Sequence, residues 1–439
     1  MGRVQIWKST KEEASVKIKR NHLGESAWVI FGQIISVSGS VLLITLLTNY
    51  LKPEEYGRLV LVLTFAILIS QVLIGGLVVS FGRYYSIALE AKEITAYIKS
   101  IERIIIKAAG LIMVFAAGVG AALHLLKYSE WLLSIGLTAV FSVVSGCNAI
   151  LSGVQNAARQ RKIVAGHLGV EATLKLILTY VICEYSNATI EKILMVYIVA
   201  ATFTTLSQYH YLENIKLKQS DIKSKKDWSS EIWKYSTPFF IWGPFTWMQL
   251  ISDRWALKIF SSEEQVGQYA VVYQIGYTPI ILVTGMVVNI IGPMLFQRSG
   301  SGKDEERNKE VEKISWRLTI LSLIFTLFVF FVAFGIHDLI FRQLTHPDYQ
   351  ETSYLLPWLI MAGGIYAAGQ MLSLKIMSDM QVSSLLGVKI VTALLGVVLN
   401  ILGARMYGVD GVVASMVLFS ISFLLWMIML SNKKIGDNN

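Results

Sequence analysis

The residues of this chain best suited to chemistry are ionisable groups set inside apolar stretches: His167, Glu171 and Lys175, then Asp253 and Arg254, then Lys389. A charge within a hydrocarbon layer costs several kcal/mol, so it survives where it meets a partner or lines a water-filled cavity. Groups so placed bind anions and polar head groups, or carry protons. Covalent chemistry has little support. No nucleotide-binding motif, metal-ligand cluster or Ser/His/Asp arrangement is present, and no metal or organic cofactor is expected. Cys147 and Cys183 fall in separate apolar stretches, which argues against a disulfide.

Spacing sharpens these candidates. His167, Glu171 and Lys175 recur at every fourth residue and form one stripe on a helix. Either the stripe faces a cavity, with Lys175 attracting an anion and Glu171 titrating, or Glu171 and Lys175 neutralise each other as a structural pair. His167 reads as a residue of the cytoplasmic interface. Lys389 has no acid within one turn, and its stripe continues through Thr392, Gly396 and Asn400. It faces a cavity, or snorkels to the cytoplasmic surface. If the two halves of the chain correspond, it also matches Glu171 across the bundle. Gln249 and Asp253 share a stripe with Thr246. Asp253 and Arg254 read as an anchor at the outer interface, with a place at the outer mouth as the alternative. Gln33, Gln71, Gln274 and Tyr277 suit hydroxyl-rich ligands and equally suit interhelical hydrogen bonds. Arg83 either sets topology or meets lipid phosphate.

The elements that must hold these groups are membrane helices. A hydrocarbon core about 30 Å thick takes roughly 20 apolar residues in helix. Twelve such stretches run from Ser26 to Ser431, near 26–48, 58–80, 104–126, 131–151, 163–183, 190–210, 237–259, 267–291, 317–337, 352–373, 384–404 and 411–431. Hydrophobic residues make up 54% of the 439, charged ones 16%, and mean hydropathy is +0.55. A soluble fold would not keep that balance in solution. The class is an all-α polytopic membrane protein. With residues at span edges counted in the adjoining loop, 28 of the 39 Lys and Arg lie on one side and 8 on the other. The richer side is cytoplasmic, which puts both termini inside and predicts no cleaved leader. The net charge of +9 then reflects topology and contact with anionic membrane lipids rather than nucleic-acid binding.

The chain reads as two six-helix lobes of the same orientation, 26–210 and 237–431. A cytoplasmic linker, 211–236, joins them, and short cytoplasmic tails, 1–25 and 432–439, flank them. The lobes echo each other. Glu54-Glu55-Tyr56-Gly57 opens the second span and Glu263-Glu264-Gln265-Val266-Gly267 opens the eighth. Leu168-Gly-Val-Glu171 recurs as Leu386-Gly-Val-Lys389, at a similar offset. Parallel repeats place a substrate site between the lobes, near mid-membrane. Gly243-Pro244 is the expected hinge, because proline removes a backbone hydrogen bond from the seventh span.

Several motifs carry a resemblance. Leu51-Lys-Pro-Glu-Glu-Tyr-Gly57, Gly75-Gly-Leu, Phe81-Gly-Arg-Tyr-Tyr85, Ser252-Asp-Arg-Trp-Ala-Leu257 and Tyr407-Gly-Val-Asp-Gly-Val412 resemble the polysaccharide-biosynthesis flippases. These belong to the MOP exporter superfamily, with the MATE drug exporters and the lipid II flippases. The resemblance implies a V-shaped bundle of two lobes. It also implies export of an undecaprenyl-pyrophosphate-linked oligosaccharide, such as an O-antigen repeat, with a polysaccharide polymerase and assembly proteins as further partners. The first span lacks the Asp or Glu that many MATE exporters carry. The alternatives are a MATE-like antiporter coupled to H⁺ or Na⁺ and, more remotely, a membrane-embedded glycan polymerase or ligase.

Overall fold

The structure is a computed structural model, and it describes residues 28, 30–217, 226–299, 305–378 and 382–432. The predicted tails, apart from residue 432, and the middle of the predicted linker lie outside these residues. The described chain is helical, with no strand. Lobe N contains α1 (Ile30–Tyr50), α2 (Pro53–Glu90), α3 (Ile94–Leu125), α4 (Ser129–Ala157), α5 (Arg161–Tyr185) and α6 (Ile190–Leu217). Lobe C contains α7 (Ser229–Phe260), α8 (Glu263–Ser299), α9 (Glu305–Leu344), α10 (Leu356–Ser378), α11 (382–407) and α12 (409–432).

Ten described helical runs are long and apolar enough to cross a membrane. Two facts bring the helix count to twelve. The last run turns at Gly408, whose φ of 57° and ψ of −130° are not helical. Beyond that turn Ser415 donates back to the Leu399 carbonyl at 2.7 Å, so α11 and α12 pack antiparallel. The other addition is α7, which carries polar residues along its length and falls below the apolar threshold. Many helices outrun the predicted spans. α6 continues to Leu217 and α7 begins at Ser229, which narrows the predicted linker. Hydropathy marks only the part of a helix in hydrocarbon, whereas the backbone hydrogen bonds continue through the headgroup region.

The shared Glu-Glu motif has a local reason. Pro53 starts α2 with a fixed φ, and Glu55 reaches back to the Lys52 amide at 3.2 Å. Ser262 caps α8 by accepting from the Gln265 amide. In each helix two glutamates occupy the first turn, where the helix dipole favours negative charge.

The buried core shows where the lobes join. At the end where α1 meets α2, the outer end on the predicted orientation, residues of both lobes share one core: Leu47, Tyr56 and Leu59 with Val266, Tyr269 and Tyr349. The Tyr349 hydroxyl donates to the Leu51 carbonyl at 2.8 Å. Arg58 pairs with Glu263 across the lobes, and Lys258 joins the same carboxylate. At the other end the cores are separate. One gathers α2, α3 and α4 around Ile232 of α7 and Trp228, the residue just before that helix, and two smaller ones lie in lobe C. The bundle is therefore joined at the end where α1 meets α2 and divided at the other.

Candidate functional site

A cavity of about 250 Å³ lies between the lobes, walled by α1, α2, α6, α7 and α8. Leu, Ile and Val supply most of its surface. Its polar groups are Ser40, Thr64, Tyr197, Arg254 and Gln274, with Tyr56 beside them. Arg254 is the only charged residue of that lining, and it is 9% exposed. Its Nη1 donates to the Leu250 carbonyl at 2.8 Å and meets Asp253 at 3.4 Å. The guanidinium lies 4.6 Å from the Tyr273 ring centroid. A guanidinium carries five N–H donors, and Nη1 alone serves both of those oxygens. Asp253 is more fully engaged: it takes the Tyr269 hydroxyl at 2.6 Å and the Arg254 amide at 2.8 Å.

This placement puts Arg254 and Asp253 on cavity walls within the bundle, and both are buried, Asp253 at 2% exposure. Partners that the local sequence does not reveal make the burial tolerable: Tyr269 and Tyr273 come from α8, which places them against α7. A buried ion pair persists where further hydrogen bonds complete it.

A second opening lies at the inner part of the same seam. Ile30, Ile34, Val37, Val283, Met286 and Ile290 line a groove of about 400 Å³ between α1 and α8. Ile34 and Val283 are more than half exposed. Gln33 and Ser38 are the polar residues of this groove. The interlobe seam thus combines a chamber lined in part by Arg254 with a mainly aliphatic groove.

The remaining candidates separate. Lys175 donates to Glu171 at 2.6 Å, and its ammonium also stands 5.3 Å from the Tyr197 ring centroid and 5.7 Å from that of Phe141. Glu171 accepts from Asn148 at 2.6 Å, and Gln208 extends the network from Asn148 to Ser152. This ties α4, α5 and α6 together within lobe N. Asn148, Ser152, Thr204 and Gln208 were not among the sequence candidates, although their four-residue spacing on two helices was a readable signal. His167 is buried in the second turn of α5, held by the Ile163 carbonyl and Ser207. Lys389 is half-buried, and among the described residues its ammonium meets no carboxylate. Glu171 keeps Lys175 instead. Arg83 is exposed. Gln71 lies in a π-turn, Ser70–Ile74, where its carbonyl faces Gly243. Gln249 and Asp253 border a further cavity, inside lobe C.

The model of the family described as "Polysaccharide biosynthesis protein" matches residues 23–299. The chain belongs to that family. The match covers all of lobe N and the first two helices of lobe C, including Arg254 and both Glu-Glu motifs. No curated protein sequence is similar enough to match this family member. Solved structures show the fold over nearly its whole length. The lipid II flippase MurJ, in an inward closed conformation, is 14% identical with a TM-score of 0.69, covering 94% of this chain and 88% of its own. A multidrug-resistance MATE transporter of the MOP superfamily, inward-facing, is also 14% identical, with a TM-score of 0.61 and coverage of 92% and 98%. The Vibrio cholerae MATE transporter VcmN in its bent form is 12% identical, with a TM-score of 0.59 and coverage of 95% and 97%. The polysaccharide-family chain is thus a multi-pass membrane protein on the MOP fold.

Proposed function

We propose that this protein is a flippase that carries a lipid-linked oligosaccharide repeat unit across the cytoplasmic membrane for surface polysaccharide synthesis. The supporting observation is the make-up of the interlobe seam. Arg254 and neutral polar groups line the chamber between the lobes, while the groove between α1 and α8 is mainly aliphatic, with exposed Ile34 and Val283. An anionic, hydroxyl-rich head group suits the first, and a polyprenyl tail suits the second. In this reading the pyrophosphate of an undecaprenyl carrier meets Arg254 while its tail stays in the membrane through the groove. Alternation of the two lobes moves the head group outward, where a polymerase and assembly proteins consume it. The energy comes from an H⁺ or Na⁺ gradient, the membrane potential, or that consumption.

The test is a deletion of this chain, with cells assayed for trapped lipid-linked oligosaccharide and for surface glycan. Accumulation of the carrier inside, with loss of glycan outside, supports the proposal. Normal glycan together with sensitivity to drugs would replace it with the antiporter reading, which the fold shared with MATE transporters keeps in view.

A further inference from the structure

A cavity of about 190 Å³ lies within lobe C, enclosed by α7, α8, α10, α11 and α12. Aromatic faces dominate its wall. Tyr273 and Tyr277 stack with centroids 4.7 Å apart, and Tyr366 stacks on Phe419. Between the rings stand Gln249, Asp253 and Asn400. Two polar side chains of this lining have hydrogen-bonding capacity to spare. Tyr277 is 6% exposed, and its hydroxyl makes no hydrogen bond to a described residue. Asn400, 3% exposed, donates one of its two amide N–H groups to Ser252 at 2.9 Å.

The chemistry of this wall narrows the occupant. A cavity of about 150 Å³ admits a six-membered ring. A purely apolar ring would make no use of the Tyr277 hydroxyl or the Asn400 amide. A hard cation seeks several oxygen ligands, whereas the one carboxylate here already serves Arg254 and Tyr269. A pyranose has C–H faces that suit aromatic rings and an equatorial belt of hydroxyls that suits amides and phenols.

Position links this chamber to the interlobe cavity. Asp253 and Tyr273 face the chamber, while their chain neighbours Arg254 and Gln274 face the interlobe side. Arg254, in contact with the Tyr273 ring, stands where the two linings meet. We infer that the chamber receives one sugar ring of the head group, with Tyr277 and Asn400 binding its hydroxyls while Arg254 holds the neighbouring phosphate. This rests on the flippase reading and adds to it a seat for sugar recognition inside lobe C.

Proteoliposomes holding the full chain test the inference. The probes are the undecaprenyl-linked oligosaccharide extracted from cells deleted for this chain, and undecaprenyl pyrophosphate without sugar. The readout is the ratio of their translocation rates. Tyr277→Phe keeps the ring and removes one hydroxyl, and it is expected to lower that ratio about tenfold. Tyr366→Phe, a second conservative change in the same wall, is expected to lower it as well. A ratio equal to wild type in both variants, each eluting as a monodisperse protein, overturns the chamber assignment while leaving the flippase reading intact. Wild-type protein that moves neither probe overturns both.

Discussion

Gly57 and Gly267 bring α2 and α8 together backbone against backbone at the outer end. A β-carbon on Gly57 would strike the Glu263 carbonyl and lie 2.9 Å from the Gly267 nitrogen. One on Gly267 would strike the Pro53 carbonyl and lie 3.0 Å from the Gly57 nitrogen. Each helix thus meets, four residues before the partner's glycine, the carbonyl that opens it. The contact is two-fold in character, and it is formed by the motif that the halves share. Membrane helices associate through such close packing at small residues, because hydrocarbon offers no hydrophobic drive.

The outer seal should therefore fail when either glycine gains a side chain. In a background with Cys147→Ala and Cys183→Ala, a cysteine replacing the fully buried Val266 reports the seal. Gly57→Leu is expected to raise labelling of that cysteine by an impermeant thiol reagent at least fivefold, and to reduce export. Labelling at the parental rate would show that the outer end closes without this crossing.

Arg254 poses a question of separation, because it serves both the fold and the chamber. Removing one partner of a buried ion pair costs about 3–5 kcal/mol. Arg254→Ala is thus expected to lower thermal stability and export together. The double variant Asp253→Asn, Arg254→Gln carries no unpaired charge and should regain most of the stability. Its export is expected to stay at least tenfold below wild type, since no cation remains for the head group. Full recovery of glycan export in the stable double variant would make Arg254 a structural residue only.

Glu171 and Lys175 give the opposite expectation. Their charges meet each other inside lobe N, and Asn148 and Thr204 complete the carboxylate. Lys175→Ala leaves that carboxylate without its cation, so expression and thermal stability should fall. Glu171→Gln with Lys175→Met removes both charges. It should restore stability, and export should return with it to within about twofold of wild type. A stable double variant that exports nothing would return the pair to the transport pathway.

Much of this arrangement was legible in the sequence. The all-helical membrane class follows from hydropathy, and the matching glycines from one repeated motif. The Glu171–Lys175 pair was legible as one of two readings of a four-residue spacing. The wider surroundings of each charge were not, because they depend on which helices touch: the local sequence does not show that α8 brings Tyr269 and Tyr273 to Asp253 and Arg254, or that Tyr197 and Phe141 flank Lys175. Tyrosines at positions 56, 269, 273 and 366 passed as ordinary apolar residues, since aromatic side chains fill membrane helices for packing alone.

The last prediction concerns α7, which changes partners along its length. Its inner part belongs to the lobe N core: Trp228, the residue just before it, packs edge-on to Tyr84 and Tyr97, and Ser236 bonds Ser80 at 2.6 Å. Its outer part belongs to lobe C, through Asp253 with Tyr269 and Ser252 with Asn400. The changeover falls near Gly243 and Pro244. A β-carbon on Gly243 would lie 2.6 Å from the Gln71 carbonyl oxygen, within the π-turn of α2. Two helices thus carry altered backbone hydrogen bonding at one level, since Pro244 has no N–H to give and a π-turn widens the ladder. Opening the outer end requires the lobes to separate while α7 still bridges them, so bending is best accommodated at this level. Pro244→Ala restores one hydrogen bond, worth about 1 kcal/mol, and stiffens the joint. Membrane insertion and thermal stability should be unchanged or slightly raised, while export slows about fivefold. Export at the wild-type rate in a correctly inserted Pro244→Ala protein would place the bending elsewhere.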